Sequence, residues 1–409
     1  MATVYEKMTA IANNIRSKTG KTDLLNLDDM ASSVNEVYDK GYSEAKTKYT
    51  SKPYMDTSKI TSFLYFCTEN RFTADELAKL NTSNGTNFKN MFDRCTLLTT
   101  IPNLDTSNGT DFSCMFQNCS KLTTIPNLDT SKGTNFSNMF YGCKALTTIP
   151  NLNTNNGTTF TTMFYNCNAL TSVPELHTSS CKNFRYLFYS CKALTTIPNL
   201  DTSNGTDFSF MFQFCNALTT IPQLNTSKGT NFSNMFDQCK ALTSIPNLNT
   251  SNGTTFSNMF QYCLALTTIP QLDTSKGTNF SSMFNQGTAL TSIPELNTSN
   301  GTNFSFMFNN CRVLTTISKL NLSKATNNSG MFQYCLALEN ITFEGTIPIS
   351  INFSSSTKLT HDSLMSIINA LADKSSSTGT YKLTIGSTNI AKLTAEELQI
   401  IENKGWTYA

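Results

Sequence analysis

Ten cysteines recur at a fixed interval: Cys95, Cys119, Cys143, Cys167, Cys191, Cys215, Cys239, Cys263, Cys311 and Cys335, with Gly287 on the one missing rung. Thiols in such number could form disulfides, ligate a metal or act as nucleophiles. A paired cysteine cannot be lost singly without stranding its partner, whereas a thiol packed like a small hydrophobe can. No CxxC pair or histidine accompanies the ladder as a zinc site would require. Core packing is the expected role. The carboxylates Asp105, Asp129, Asp201 and Asp273 also follow the repeat and exchange freely with Asn, so no acid pair at a glycosidase separation is legible. His177 and His361, the only histidines, have no acid or nucleophile tied to them by a motif. These observations point to a protein that is not an enzyme and has no cofactor.

The elements carrying these residues are one unit repeated. Leu98, Leu122, Leu146, Leu170, Leu194, Leu218, Leu242, Leu266, Leu290, Leu314 and Leu338 are 24 residues apart, without insertion or deletion. Within a unit the apolar positions Leu122, Ile125, Leu128, Phe136, Met139, Phe140 and Cys143 fit neither a long helix nor an alternating strand. A coil of short parallel strand, turn and short helical turn accommodates them. No coil buries that set alone, so neighbours must stack into a repeat solenoid. Leu-Thr-Thr-Ile is the expected strand, kept short by the proline that follows it, since Pro102, Pro126 and Pro150 have no N–H to donate. Its Thr-Thr pair is expected on the concave side. The glycines after Asn or Lys, such as Gly109 and Gly133, read as turns demanding positive φ. Cys181 and Ala325, which replace them, predict rearranged loops.

The organisation follows: residues 1–50 with two narrow helical stripes, an N-terminal cap over 51–79, the solenoid over 80–345, and an α/β C-terminal cap over 346–409. In the last, HDSLMSIINALAD predicts a helix, YKLTIGS a strand, and TAEELQIIENKGW a helix with Thr394 as N-cap and Glu three residues on. The 30 basic and 28 acidic residues nearly cancel. No basic stripe tracks a nucleic-acid backbone. No apolar run approaches the ~20 residues of a membrane span. The N-terminus has no continuous apolar stretch of the kind a secretory signal needs, which predicts a chain made and assembled in a cytoplasm.

The unit C-x-x-L-T-T-I-P-x-L-x-T-S-x-G-T-x-F-x-x-M-F resembles the BspA-like leucine-rich-repeat surface proteins of bacteria, and that resemblance implies adhesion or recognition by a leucine-rich-repeat-like array. MTAIANNIRSKTGKTDLLNLDDMASSVNEV is similar to the opening segment of phage and prophage tail, baseplate and tail-fibre proteins. KLTHDSLMSIINALADKSSSTGTYKLTIGSTNIAKLTAEELQIIENKGW is similar to the closing segment of repeat-bearing proteins from the same setting. This implies a virion component, assembled in the host cytoplasm and released by lysis, that attaches to other tail or baseplate proteins, or oligomerises with its own copies, through residues 1–50. A secreted adhesin, a structural tail spacer and an ice-binding threonine array are the rival readings.

Recognition needs a variable surface. The Thr-Thr pair is nearly constant, whereas the second residue after the core Phe includes Tyr186, Phe210 and Phe306. The residue after Met-Phe includes Tyr141, Tyr165 and Tyr189, and the next includes Phe214, Tyr262 and Tyr334. A constant period aligns equivalent positions, so these nine aromatics form the expected binding edge. They either stack on sugar rings of a host-surface glycan or anchor a host protein, or else merely cover the short turns.

Overall fold

A computed structural model describes residues 56–409. The helices expected over residues 1–50 lie outside the described residues, as does the start of the N-terminal cap.

The described chain is a solenoid of stacked 24-residue coils, and the stacking already includes the segment expected as N-terminal cap, where Phe63 N–H donates to Asn87 O and the Phe63 ring stacks on Phe88. The main ladder between coils runs along the Phe-x-x-Met-Phe-x-x-Cys segment. There the N–H groups of Phe112, Cys114, Phe116 and Asn118 donate to Asn135, Ser137, Met139 and Tyr141 of the next coil at 2.6–3.0 Å. The intervening N–H groups turn back within the coil, Met115 to Phe112, Gln117 to Cys114 and Cys119 to Phe116. Ser113 N–H donates to Asp111 Oδ1, so every N–H of the segment is satisfied.

The strand expected at Leu-Thr-Thr-Ile contracts to one rung per coil in most of the array, as in Thr123 N–H to Thr99 O at 2.9 Å. Proline is the physical reason. Where Ser318 stands in its place, a regular strand β1 (Thr316–Leu320) forms and pairs in parallel with β2 (Asn340–Phe343). The Thr-Thr pairs are exposed, and in most coils the first threonine hydroxyl donates to the coil before, as Thr123 Oγ1 does to Thr99 O.

The glycine reading requires correction. Gly109, Gly133 and their equivalents do not have positive φ; among the described residues only Gly142, Gly330, Gly345, Gly386 and Gly405 do. These turns need glycine for space. A Cβ on Gly109 would stand 2.4 Å from Cζ of Phe112 and 3.0 Å from the Phe88 ring one coil back. Nor are the loops at Cys181 and Ala325 rearranged: Cys181 N–H reaches Thr178 O and Ala325 N–H reaches Leu322 O at 2.8 Å, as Gly133 reaches Thr130. The disturbance falls between coils. Phe160 and Phe184, the rings that a side chain at 181 wedges apart, form no stacked pair among the described residues, and the parallel bridges lapse between Thr159 and Asn183. Ala325 causes no such break because the ring it would strike is replaced by Asn328.

Two phenylalanine stacks fill the core. One runs from Phe92 through Phe116 and Phe140 to Phe332, with neighbouring centroids 5.5–5.8 Å apart, and Phe353 of the C-terminal cap closes it at 4.5 Å. Beside it the ladder cysteines are buried and unpaired. Each thiol from Cys119 to Cys335 donates to a phenylalanine carbonyl of the coil before, as Cys215 Sγ does to Phe188 O at 3.1 Å. Buried threonines tie the far side, Thr130 Oγ1 donating to Asn153 O at 2.9 Å.

The ends are closed by capped helices. Helix α1 (Ala74–Leu77) has a reciprocal capping box between Thr73 and Glu76. At the other end, β3 (Ile351–Asn352), β4 (Lys382–Thr384) and β5 (Thr407–Tyr408) form a parallel sheet in the order β3-β4-β5. Helix α2 (His361–Ala370) lies over the last coil, where its Ser363 and Ser366 hydroxyls accept the N–H groups of Ile341 and Phe343 that no further coil would take. Helix α3 (Ser387–Ile390) precedes α4 (Ala395–Asn403), whose N-cap is Thr394 in a capping box with Glu397. His361 belongs to this cap, its Nε2 lying 2.9 Å from Glu397 Oε1.

Candidate functional site

The rim of the solenoid is built from two left-handed residues per coil. The second residue after the core Phe has φ between 53° and 64° in every coil from Asn90 to Gly330, and the second after Met-Phe has φ between 54° and 73° from Arg94 to Tyr334. Each sits at the third position of a four-residue turn closed by the Met-to-Phe or Cys-to-Phe hydrogen bond. Asn and Gly tolerate this conformation, and Asn90, Asn138, Asn234, Asn258, Asn118, Asn166 and Asn310 follow that preference. Tyr186, Phe210, Phe306, Phe214, Tyr262 and Tyr334 do not. A bulky side chain there carries strain of roughly 1–3 kcal/mol, which persists only where the surroundings fix it.

Six of the nine expected aromatics come together. Tyr141, Tyr165 and Tyr189 stack in a column, with centroids 4.6 and 4.3 Å apart and planes within 5°. Tyr186 stacks on Phe210 at 4.7 Å and meets Tyr165 and Tyr189 at 73° and 76°. Phe214 meets Tyr189 edge-on at 5.5 Å. All six are half-buried, so they neither vanish into the core nor stand free. Tyr262, Phe306 and Tyr334 lie apart, outside every aromatic pair among the described residues; Phe306 instead packs against Gly330.

The column changes the chemistry on offer. Both faces of Tyr165 are covered by its neighbours, so the ring cannot stack on a sugar; the column presents ring edges and hydroxyls. Desolvation, reinforced by the Tyr189 phenol, pushes the Tyr165 hydroxyl up to about 12, which keeps it a hydrogen-bond donor at any physiological pH.

Arg185 completes the cluster and was not anticipated. Its Cζ lies 4.8 Å from the Tyr186 centroid and 5.4 Å from that of Phe210, and its Nη2 donates to Tyr186 Oη at 3.2 Å. The signal was in the sequence: this position is Ser or Thr in nearly every coil, with Lys89 the other exception. Beyond the tyrosines the same row runs to Gln117 and Asp93 on one side and to Gln213 and Asp237 on the other. Gln213 Nε2 donates to Asp237 Oδ2 at 2.6 Å, and burial pushes that carboxyl up to about 6. His177 stands exposed in the coil before, its N–H held by Thr154 Oγ1. Among the described residues no group of His, Cys, Asp and Glu is placed to hold a metal ion, and no helix is long and apolar enough to cross a membrane.

Stacked coils of fixed length, with a leucine-headed core and a variable rim, define a leucine-rich-repeat solenoid. The chain belongs to the family described as "Mycoplasma protein of unknown function, DUF285", whose model matches in overlapping segments at residues 32–148, 61–176, 98–198, 158–268 and 230–344. Comparison with curated proteins gave no significant match. Solved structures that align with it include a TLR13–ssRNA13 complex, at 12% identity and TM-score 0.28, covering 83% of this chain and 56% of that one. The functional domain of InlJ from Listeria monocytogenes, which includes a cysteine ladder, aligns at 15% identity and TM-score 0.22, covering 71% of this chain and 69% of that one. This chain thus spans little more than half the length of the TLR13 chain. Both TM-scores are too low for either structure to define its coil geometry.

Proposed function

We propose that this chain is a non-enzymatic recognition protein of a phage tail, of tail-fibre or receptor-binding type, which displays its solenoid rim to a glycan or protein of the host surface. One observation carries the recognition reading. Six aromatics and Arg185 converge on four successive coils, at positions that elsewhere hold mainly Asn, Ser, Thr and Gln. The tail context is supported by the resemblance of the two end segments, with residues 1–50 as the attachment to other tail or baseplate proteins or to further copies of the chain.

Labelled full-length protein incubated with a panel of bacterial strains tests the reading. Binding confined to particular strains, and lost when Tyr186 and Phe210 are replaced by Asn, is the expected result. Absence of binding to every strain, including the one the particle infects, would leave only a spacer. Removal of residues 1–50 is expected to abolish incorporation into the particle; retained incorporation refutes attachment through that segment. A second reading, a bacterial surface adhesin, is favoured by the bacterial source in the family's description. The protein would then fractionate with the envelope of the cell that encodes it and not with particles released by lysis.

A further inference from the structure

The cluster contains a cation with nothing to neutralise it. Arg185 is exposed, and among the described residues no carboxylate pairs with it; Arg312 is alike in this, its Nε donating to Asn310 Oδ1, but of the two only Arg185 has rings under its guanidinium. It is not free to wander. The rings of Tyr186 and Phe210 lie under its guanidinium at 4.8 and 5.4 Å, and Tyr186 Oη takes one of its N–H groups. A planar guanidinium fixed in this way offers its remaining donors as a fork that matches a carboxylate or phosphate.

The residues that fix it hold improbable backbone. Tyr186 and Phe210 have φ of 59° and 61°, a conformation that Asn138, Asn234 and Asn258 hold in the same row. The same left-handed backbone recurs in every coil, at Thr162 and Gln238 as at Tyr262, but only here, among the described residues, do two bulky rings that adopt it lie under one guanidinium. Alongside runs the tyrosine column, whose rings follow one another at 4.6 and 4.3 Å with their faces covered. It places one tyrosine on each of three successive coils, suited to a partner that repeats its own hydroxyls along its length.

We propose that this rim binds an anionic glycopolymer, with Arg185 taking a carboxylate or phosphodiester of the chain and the tyrosine hydroxyls taking its sugar or polyol oxygens. The inference rests on the recognition reading above and narrows it to one ligand chemistry. Arg185 is the specificity-determining residue, and Tyr186 and Phe210 hold it in place.

The test uses full-length protein and three immobilised polymers: polygalacturonate for carboxylate, poly(glycerol phosphate) for phosphodiester, and dextran as the neutral control. Binding to one of the anionic polymers at least tenfold tighter than to dextran is expected, and which of them is preferred identifies the source of the charge. Arg185→Gln should abolish that preference with an unchanged thermal midpoint. Arg185→Lys should restore it only in part, because a point charge does not reproduce the fork. Dextran bound equally well, a preference that survives Arg185→Gln, or strain-specific cell binding with none of the three polymers bound would each overturn the anionic assignment and leave recognition standing. Failure to bind both polymers and cells overturns the two together.

Discussion

The ring of Tyr165 lies parallel to that of Tyr189, centroids 4.3 Å apart and planes 5° apart, one coil further along the rim. With Tyr141 on its other face, Tyr165 holds two stacked contacts. Each is worth about 0.5–1.5 kcal/mol beyond area burial. Tyr165→Ala is therefore expected to lower stability by roughly 1–3 kcal/mol in urea unfolding, whereas Tyr165→Phe should stay within about 0.5 kcal/mol. The Phe variant should also lack the phenol ionisation near pH 12 in an ultraviolet titration.

Gly205 and Phe208 form the second testable pair. A Cβ on Gly205 would lie 2.5 Å from Phe208 Cζ and 2.9 Å from the Phe184 ring. Gly205→Ala should cost about 1–3 kcal/mol through overpacking. With Phe208→Asn in the same chain, the combination that Ala325 and Asn328 already display, the alanine should cost far less. A double-mutant cycle should return a coupling of at least about 1 kcal/mol; additive effects would contradict the steric account.

That natural pair was legible before any coordinates, and it argued against the turn reading of the glycines: Ala325 and Asn328 depart from the repeat together. The repeat, its cysteine core and its aligned rim followed from a strict period. The backbone did not. Seven asparagines in two rows marked the left-handed positions, but Tyr186, Phe210, Phe214 and Tyr262 in the same rows hid a signal that propensity alone reads as coil or strand. Arg185 stood out only as a break in a row of serines and threonines, since pairing and burial are properties of the folded chain. The prolines shorten the Leu-Thr-Thr-Ile strand more than its residue types convey, and Ser318, where the strand forms, shows how much they suppress.

Asp237 predicts a pH dependence. Burial raises its carboxyl from 3.8 to about 6. Below pH 3.8 the group is neutral in the folded and unfolded chain alike. As pH rises towards 6 the unfolded chain ionises first, so stability falls, by roughly 2–3 kcal/mol once pH exceeds the folded value. Asp237→Asn should thus stabilise the protein at pH 7.5, and the gain should fade by pH 4. A gain that is independent of pH would show that charge is not its cause.

The thiols give a chemical test of the core. Burial pushes the ladder cysteines from Cys119 to Cys335 well above the ordinary thiol range, Cys311 to about 12. Only Cys114 among the thirteen is half-buried. Alkylation of folded protein at pH 8 should label Cys114 before any ladder cysteine from Cys119 to Cys335, which should stay untouched until denaturant is added; mass spectrometry of the labelled peptides reads the order.

The central claim is that the strained aromatics of the rim are kept for binding and not for folding. Its most direct test is the double variant Phe210→Asn, Phe214→Asn, which installs the residue that equivalent coils prefer, measured for thermal midpoint and for affinity to a strain or polymer that the unaltered chain binds. The account predicts at least a tenfold loss of affinity with the midpoint held or raised. Affinity unchanged, or a midpoint that falls in step with it, would contradict the claim.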